Sequence, residues 1–317
     1  MKVTAVAGSD QVAMVYIADF GQGRAVEFVE SIHVPLPREK KWVLMVSTLF
    51  GCPVKCRMCD AGGAYHGKLT GEQILAQIDY LVQKRYPGSF IPVEKFKIQF
   101  ARMGEPSFNP AVLGVLMELP NRYQAAGLIP SLSTIGPSGV DGFFDKLLDV
   151  KDGLYSRGQF QFQFSIHTTD ENLRDQLMPV NKWSFAELAK YGDRFYRPGD
   201  RKITLNFALA DGMPVDPEIL TRYFDPARYL VKITPLNPTC QAAKNGLSSY
   251  INPNKPDTDY EIAGLLTQCG YEVIVAIGDV EENKIGSNCG QYLLKYLDTG
   301  TTIANGYTYQ PQSLLSS

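Results

Sequence analysis

The sequence lacks the features that mark membrane-spanning and secreted proteins. No apolar run approaches the roughly 18–20 residues that a membrane span requires. The first ten residues do not show the basic, apolar and small-residue regions of a secretory signal. Cysteine is scarce, with 6 in 317 residues, which argues against a disulfide scaffold. These absences predict a cytoplasmic protein that does not act at a membrane.

The chain also lacks an excess of positive charge. Lys and Arg number 31 against 33 Asp and Glu, for a net charge of −2. A large nucleic-acid footprint usually needs a clear basic excess, so such a partner is disfavoured, although a local basic patch stays open. Apolar residues make up 44% and charged residues 20%, which predicts an ordinary globular core. The length suits one large α/β domain or two smaller ones.

The segment before residue 42 predicts a β-hairpin. Residues 12–20 and 25–34 are strand-like, and the glycine-containing residues 21–23 between them are typical of a turn. Pro35 and Pro37 then interrupt the strand pattern.

From Trp42 onward, strand-like and helix-like segments alternate. We predict strands at residues 42–47, 96–100, 128–133, 160–165, 203–208, 229–234 and 272–277. Alternating strands and helices form a parallel sheet with right-handed crossovers, and six or so units suit an open or partial barrel. Ligands of such sheets bind at the carboxyl ends of the strands. Polar and glycine-containing clusters follow several of the predicted strands, which is the pattern expected of an active site at that end.

Capping patterns predict where several helices begin. Thr70 with Gln73 three residues later forms a capping box that opens a helix over residues 71–85. Ser184 with Glu187 predicts a second such helix, ending near residue 196. An Asn–Pro pair at residues 109–110 is typical of another helix start, and a further helix is predicted over residues 258–268.

Three of the six cysteines are crowded into eight positions. Cys52, Cys56 and Cys59 have the spacing C-x3-C-x2-C, directly after a predicted strand. A [4Fe–4S] cluster normally takes four cysteines, so three leave one iron open, which is the site where S-adenosylmethionine (SAM) binds in radical SAM chemistry. The alternatives are a structural zinc site, with His66 as a fourth ligand, or ordinary buried cysteines. The spacing is unusual for zinc and favours the cluster.

From about Met14 to Leu293, the sequence resembles the class A radical SAM methyltransferases, the RlmN and Cfr family. The resemblance rests on eight stretches in the same order: residues 29–35 (VESIHVP), the cysteine loop, 103–106 (MGEP), 132–134 (LST), 165–167 (SIH), 178–182 (MPVNK), 235–238 (PLNP) and 289–291 (CGQ). It implies an α/β fold, a partial (β/α)6 radical SAM barrel with an N-terminal β-hairpin extension. We expect the extension at residues 1–41, the barrel at 42–293 and a C-terminal tail at 294–317.

The resemblance also implies which residues bind SAM. Gly104 and Glu105 would hold its ammonium group, through a backbone carbonyl and a carboxylate. Its carboxylate, ribose and adenine would be contacted by Ser133, Ser165, Ile166, His167 and Asn237. Taken singly, the Gly-Glu-Pro stretch is also compatible with a loop turn, and His167 is also compatible with an ordinary core histidine. The predicted SAM-binding roles therefore depend on the matching stretches occurring in the same order as in the family.

Two further roles follow from the resemblance. Cys289 matches the cysteine that one SAM methylates, after which a second SAM yields a radical that removes hydrogen from the S-methyl group, and the methylene radical adds to an sp2 carbon. Glu30 matches the proposed proton acceptor. The alternatives are that Cys289 is a buried thiol without a catalytic role and that Glu30 is an ordinary solvent-side strand glutamate.

The sequence departs from the family in two places. Met45 stands where the family has a second cysteine that releases the product, and a thioether cannot attack as a thiolate does. Either another cysteine resolves the adduct, or the enzyme releases it differently, or it does not methylate by this route. Of the other cysteines, Cys240, in a loop at the predicted active-site end, is a better substitute than Cys269 at a helix end. The family also carries an RNA-binding domain before the hairpin, whereas this sequence begins almost at the hairpin, so we expect ribosomal RNA to be a doubtful substrate.

Three functions are therefore compatible with the sequence. The first is a radical SAM enzyme that methylates an sp2 carbon through Cys289. The second forms the 5′-deoxyadenosyl radical for hydrogen abstraction without methyl transfer, as the loss of the cysteine at Met45 suggests. The third is a non-catalytic SAM- or cluster-binding sensor or accessory subunit. All need a [4Fe–4S] cluster and SAM, and the enzymes need an electron donor such as flavodoxin or ferredoxin. The substrate (small molecule, RNA or protein) and the oligomeric state are not predicted.

Overall fold

A computed structural model describes residues 1–32, 34–61, 65–88, 90–288, 293, 306 and 308–314. Within these residues, one sheet of 11 strands runs through the molecule. The chain begins with three antiparallel strands, β1 (Lys2–Ser9), β2 (Ala13–Asp19) and β3 (Ala25–Ile32). β3 also pairs antiparallel with β4 (Trp42–Val46), so the N-terminal extension continues the main sheet.

Strands and helices then alternate, as the sequence pattern predicts. In chain order the remaining elements are β5 (Leu49–Phe50), β6 (Gly67–Lys68), α1 (Gly71–Arg85), β7 (Phe96–Phe100), a short 3₁₀ helix (Pro106–Phe108), α2 (Ala111–Arg122), β8 (Leu128–Thr134), α3 (Asp141–Leu154), β9 (Gln161–Ser165), α4 (Glu171–Leu177), α5 (Phe185–Phe195), β10 (Ile203–Leu209), α6 (Pro217–Tyr223), β11 (Tyr229–Pro235), α7 (Cys240–Lys244), α8 (Glu261–Gln268), β12 (Glu272–Val275), α9 (Val280–Ile285) and β13 (Gln312–Ser313). β5 and β6 form a separate two-stranded pair.

The parallel part of the sheet is open. β4 and β7 to β12 run parallel in chain order, each joined to the next by a helical crossover. β12 lies at one edge of the strand order, and β13 pairs antiparallel with β1 at the other edge. This arrangement confirms the predicted α/β fold, an unclosed barrel with an N-terminal extension.

The two faces of the parallel strands differ in chemistry. On one face, large apolar side chains such as Leu44, Phe100 and Phe164 belong to the main hydrophobic core together with residues of the surrounding helices. On the other face, polar side chains are paired from strand to strand, for example Gln99 with Ser131 and Ser133 with Gln163. Because paired residues of neighbouring strands lie on the same face of a sheet, these polar side chains form rows inside the open barrel.

Several elements differ from the sequence prediction, which gave no bounds for the short strands β5 and β6 or for the helices α3, α4, α6, α7 and α9. β1 and β13 were not predicted, because β1 buries only small alanines at Ala5 and Ala7 and β13 is two residues long and depends on pairing with β1. The helix predicted from residue 258 begins at Glu261, after Tyr260, which offers no capping side chain.

No helix in the described part of the chain is both long and apolar enough to cross a membrane.

Both predicted capping boxes are present. Thr70 Oγ1 accepts a hydrogen bond from the backbone N–H of Gln73 at 3.2 Å, and Gln73 Oε1 accepts one from the backbone N–H of Thr70 at 2.9 Å. Ser184 and Glu187 make the same reciprocal pair at the start of α5. Each box satisfies two N–H groups that otherwise have no partner within the helix.

We expect Thr70→Ala to lower the free energy of unfolding by about 1 kcal/mol, because it removes the acceptor at the start of α1. Urea unfolding measures the change. Thr267→Ala is the matched control, since this exposed threonine bonds only to the carbonyl of Ala263 within α8. It should change stability by less than about 0.5 kcal/mol, and an equal loss in both variants would contradict the capping role.

Candidate active site at the carboxyl ends of the strands

The three clustered cysteines lie in the loop between β5 and β6. Gly51 and Lys55 have φ angles of 76° and 58°, in the left-handed region, and so turn the chain sharply within this loop. Cys52 is buried, and Cys56 and Cys59 are half-buried. The cysteines pack against an apolar group that includes Val54, Ala61, Ile135, Leu177 and Met178. The loop therefore gathers three thiols at the edge of a dry surface.

The electrostatics of this loop suit a cationic group. Burial raises the pKa of the Cys56 thiol well above its usual range, and the negative charges of Cys59, Cys52 and Glu105 raise it further. Burial also raises the pKa of Cys52. Thiolates are the ligands of iron, and metal coordination offsets the cost of ionising buried thiols. The donors thus fit a [4Fe–4S] cluster with one iron open.

The arrangement does not favour zinc. In the part of the chain that the structure describes, no three His, Cys, Asp or Glu side chains are grouped to hold a single metal ion. His66, the possible fourth zinc ligand, is exposed, and its backbone N–H donates to the carbonyl of Phe50 at 2.8 Å. A cubane cluster needs its cysteines on different irons, which is a wider arrangement than a zinc tetrahedron.

The cysteine loop is fastened to α7. The buried carboxylate of Asp60 accepts hydrogen bonds from the backbone N–H groups of Cys240 and Gln241, at 2.9 and 2.8 Å. Thr239 Oγ1 donates to the carbonyl of Met58 at 2.9 Å. Because these N–H groups begin a helix, a carboxylate is a favourable partner for them. The contacts place Cys240 beside the cysteine loop, whereas Cys269 is exposed at the end of α8.

Gly104 and Glu105 follow β7 next to the same loop. Gly104 has a φ angle of 100°, and a Cβ atom there would lie 2.5 Å from the Leu49 side chain, so only glycine fits. Burial raises the pKa of Glu105, while hydrogen bonds oppose that rise. Its Oε1 accepts from Ser107 and from Thr134 Oγ1 (2.6 Å), and its Oε2 accepts from the N–H of Ile135 at 3.0 Å. Oε2 therefore keeps a lone pair for a ligand cation.

The other predicted SAM-binding residues lie at the ends of the next strands. Ser133 Oγ, in β8, accepts a hydrogen bond from Gln163 Nε2 at 3.0 Å. The segment Ser165, Ile166 and His167 ends β9, and the carbonyl of Asn206 accepts the N–H groups of Ile166 and His167 at 2.9 and 3.3 Å. Asn237 lies two residues after the end of β11. The fold thus brings the predicted set to one end of the sheet, as parallel strands require.

His167 is held as a neutral ring. Burial, together with the positive charge of Arg174, lowers its pKa to about 4. Its Nδ1 accepts a hydrogen bond from the N–H of Ala208 at 3.0 Å, so the ring proton is assigned to Nε2. His167 also has a φ angle of 66°. A strained, neutral histidine with a fixed donor atom is typical of ligand binding at a strand end.

The structure does not bring Glu30 together with this set. Its side chain points toward α1, where Oε1 accepts from Tyr16 Oη at 2.6 Å, Oε2 accepts from Trp42 Nε1 at 3.1 Å, and Arg85 Nε lies 2.9–3.0 Å from both oxygens. The next residue, Val29, pairs with Met45, so Met45 lies on the opposite, interior face. The carboxylate is already fully engaged, which makes proton acceptance a prediction without geometric support.

We expect Glu30→Gln to lower the free energy of unfolding by about 1–3 kcal/mol, since it removes one of the two carboxylates that pair with Arg85 and leaves only Asp10. At a temperature where the variant is folded, the rate constant of any catalysed step should be unchanged. Chemical unfolding and single-turnover kinetics measure the two quantities. Normal stability with a large fall in rate would instead support Glu30 as the proton acceptor.

A second buried carboxylate of β3 lies on the interior face. Glu27 is 0% exposed, and its Oε1 lies 2.5 Å from Arg102 Nη2. Arg102 also donates to the carbonyls of Ser287 and Gly286, both at 2.8 Å, and Glu27 Oε2 accepts the N–H of Leu293 at 2.8 Å. This ion pair therefore holds the chain on both sides of residues 289–292. Cys289 itself lies outside the described residues.

Sequence reasoning missed this ion pair and the residues that hold Glu105. Thr134 lies within a stretch that matches the family, but the resemblance implied a role only for its neighbour Ser133. The interior position of Glu27 could have been predicted, because Glu27 lies two residues before Val29 and side chains two apart on a strand share a face. Arg102 gave no sequence signal, since its partner lies 75 residues away, in β3.

We expect Arg102→Met to lower the free energy of unfolding by about 3–5 kcal/mol, because it removes the cation that compensates the buried charge of Glu27. The double variant Glu27→Met with Arg102→Met should recover much of that loss, since no charge is left buried alone. Urea unfolding of the two single variants and the double variant gives their coupling free energy. Additive losses would mean that the two side chains do not stabilise each other.

Together, the open parallel sheet, the three-cysteine loop and the polar strand ends define the architecture of a radical SAM enzyme. The chain is 26% identical over 267 residues to the dual-specificity RNA methyltransferase RlmN of Marinobacter nauticus, covering 81% of this chain and 68% of that protein. It is 29% identical over 259 residues to the Caulobacter vibrioides protein of the same name, covering 77% and 58%. It thus spans about 58–68% of the length of these curated relatives. No family model matches the chain.

The fold is shared with a solved structure. A radical SAM methyltransferase from Sphaerobacter thermophilus superposes with a TM-score of 0.68 and 19% identity, covering 92% of this chain and 81% of that one. This similarity concerns the fold. The sequence relatives confirm the resemblance to the RlmN and Cfr family and indicate an enzyme.

Proposed function

We propose that Cys52, Cys56 and Cys59 hold a [4Fe–4S] cluster, that SAM binds at the adjoining strand ends, and that Cys289 carries a methyl group to an sp2 carbon of the substrate. The observation that supports this most strongly is the joint placement of three thiols and the buried Glu105 at one end of an open parallel sheet. When bound, the cluster and SAM supply a 5′-deoxyadenosyl radical.

The residues of the chain position SAM. The remaining lone pair of Glu105 Oε2 and the carbonyl of Gly104 accept hydrogen bonds from its ammonium group. That contact is charge-assisted, and the surrounding apolar side chains strengthen it by excluding water. Nε2 of His167 and the side chains of Ser133 and Asn237 offer hydrogen bonds to its carboxylate, ribose and adenine. Ser165 and Ile166 complete this surface at the end of β9.

Cys289 acts as the methyl carrier in this proposal. Its sulfur would take the methyl group of bound SAM, with S-adenosylhomocysteine as the leaving group and the thiol proton passing to solvent. Release of the final product needs a second thiol. Met45, 9% exposed on the interior strand face, offers none, so Cys240 beside the cysteine loop takes that role.

The substrate and partners are also proposals. The curated relatives are named as RNA methyltransferases, and RNA is one candidate substrate, although the net charge of −2 disfavours a large RNA footprint. A small molecule or a protein fits the same chemistry. An electron donor such as flavodoxin or ferredoxin would reduce the cluster. The cytoplasmic location and the divisions at residues 41 and 293 stay sequence predictions.

One observation favours a second function. Among the described residues of β4 the interior position has a thioether, Met45, in place of the family's resolving thiol. An enzyme that abstracts hydrogen without methyl transfer would not need that thiol. The two functions differ in their SAM products, because only methyl transfer yields S-adenosylhomocysteine. We do not propose the third function, a non-catalytic sensor or accessory subunit, because the sequence relatives are enzymes.

We expect the wild-type protein, reconstituted anaerobically with iron and sulfide and given SAM and a reductant, to carry a methyl mass on the Cys289 peptide. It should release both 5′-deoxyadenosine and S-adenosylhomocysteine. Cys289→Ala should lose S-adenosylhomocysteine formation and keep 5′-deoxyadenosine formation. Peptide mass analysis and chromatography of the nucleosides measure these outcomes.

Two further variants complete that experiment. Cys240→Ala should retain methylation of Cys289 but stop after about one turnover with substrate, because the adduct is not released. Cys269→Ala, which removes an exposed thiol, is the matched control and should behave as the wild type. An unmodified Cys289 in wild-type protein that still forms 5′-deoxyadenosine would contradict methyl transfer and support hydrogen abstraction.

A further inference from the structure

One buried side chain links the end of β7 to the segment that precedes Cys289. Arg102 follows β7, and its guanidinium donates to the carbonyl oxygens of Gly286 and Ser287, both at 2.8 Å. Both residues lie at the carboxyl end of α9, where Gly286 adopts the left-handed conformation with a φ angle of 74°. An arginine is a favourable partner for the carbonyl groups at the end of a helix, which have no partner within the helix. The guanidinium therefore fixes the chain two residues before Cys289.

Glu27 holds the chain on the other side of Cys289. Its Oε2 accepts a hydrogen bond from the backbone N–H of Leu293 at 2.8 Å, and its Oε1 lies 2.5 Å from Nη2 of Arg102. Glu27 is 0% exposed and Arg102 is 6% exposed. Contacts between charged groups are stronger in such a buried setting than in water, and salt screens them less. One ion pair thus fixes residues 287 and 293, with Cys289 between them.

The ion pair is itself fixed to the neighbouring strands. The hydroxyl of Ser47, directly after β4, donates to the carbonyl of Glu27 at 2.5 Å and accepts the N–H of Met103 at 3.1 Å. The backbone N–H of Arg102 donates to the carbonyl of Val46 at 3.2 Å. These contacts join β3, β4 and the end of β7 in one network of buried polar groups. A fully satisfied buried network is rigid, so the ion pair has little freedom to shift.

The segment that carries Arg102 also carries the residues proposed to hold the SAM ammonium group. Arg102 lies two residues before Gly104 and three before Glu105. Thr134 holds the Glu105 carboxylate independently of the ion pair. Methyl transfer to a thiol needs the reacting atoms about 3–3.5 Å apart and aligned, and a misplacement of about 1 Å can slow such a step about 100-fold. An ion pair that joins this segment to both flanks of Cys289 is therefore placed to control that distance.

We infer that Glu27 and Arg102 are positioning residues for methyl transfer, and that their ion pair sets the placement of the Cys289 segment against the SAM-binding segment. This inference rests on the proposed role of Cys289 as the methyl carrier. The two side chains act through backbone groups on either side of Cys289. They therefore affect the rate of transfer to the thiol and leave the binding of SAM nearly unchanged. A purely structural ion pair would change stability alone.

The test compares wild type with the double variant Glu27→Met and Arg102→Met. The double variant removes both charges together, so it leaves no uncompensated carboxylate in the interior. Lys151→Met is the matched control: Lys151 of α3 is 1% exposed and pairs with Asp152 and Asp200 at 2.6 and 2.7 Å, and these partners take no part in the proposed site. All three proteins are reconstituted anaerobically with iron and sulfide, and they are compared at a temperature where each is folded.

We expect the rate constant for methylation of Cys289, measured as S-adenosylhomocysteine formed in a single turnover, to fall at least about 30-fold in the double variant. The dissociation constant of SAM should change by less than about threefold, because Gly104 and Glu105 keep their own contacts. Lys151→Met should leave both quantities unchanged. Independently of activity, hydrogen exchange of the peptide that contains Leu293 should become faster in the double variant alone, because the Leu293 N–H loses its acceptor.

Three results would overturn the inference. The first is methylation of Cys289 at the wild-type rate in the double variant, and the second is unchanged hydrogen exchange at Leu293. The third is an equal loss of rate in the double variant and in Lys151→Met, which would mean general destabilisation. Failure of the proposed function is distinguishable from all three, because Cys289 would then stay unmethylated in wild type. Faster exchange at Leu293 in the double variant would in that case still support placement of the segment by the ion pair.

Discussion

The rest of the structure depends on one constraint: the parallel strands β7 to β10 bury an apolar face beneath helices and keep a mainly polar face toward the barrel interior. Phe100 and Phe164 belong to the main core on the helix side, while Gln99, Ser131, Ser133 and Gln163 form paired rows on the other side. A closed small barrel fills its interior with apolar side chains. An open sheet can instead keep a polar interior, which leaves room for a large charged cofactor.

Buried carboxylates organise the site that this sheet creates. Glu105 is held by Ser107, Thr134 and Ile135, and Asp60 joins the cysteine loop to the start of α7. From β3, Glu30 anchors the outer face to α1, and Glu27 with Arg102 anchors the inner face to the chain beside residues 289–292. β3 therefore ties the N-terminal extension to α1 on one face and to the chain beside residues 289–292 on the other.

Local patterns in the sequence predicted most of the fold. Strands β4 and β7 to β12, helix α1 and both capping boxes follow from periodicity and spacing, because these signals act over a few residues. β1 and the edge strand β13 were not predicted, since the pairing between them is decided by contacts distant in sequence. For the site, spacing was enough to predict the cysteine loop. It was not enough for Glu30, whose partners Tyr16 and Arg85 come from other elements and turn it away from the interior.

The central claim is that Cys52, Cys56 and Cys59 hold a cluster with one iron open to SAM. The most direct measurement is iron and sulfide analysis of the anaerobically reconstituted protein, combined with electron paramagnetic resonance of the reduced protein with and without SAM. The account predicts about four irons and four sulfides per chain, a reduced-cluster signal that SAM changes, and loss of both when the three cysteines are replaced by alanine. Iron content that is unaffected by those replacements, or a cluster signal that SAM leaves unchanged, would contradict it.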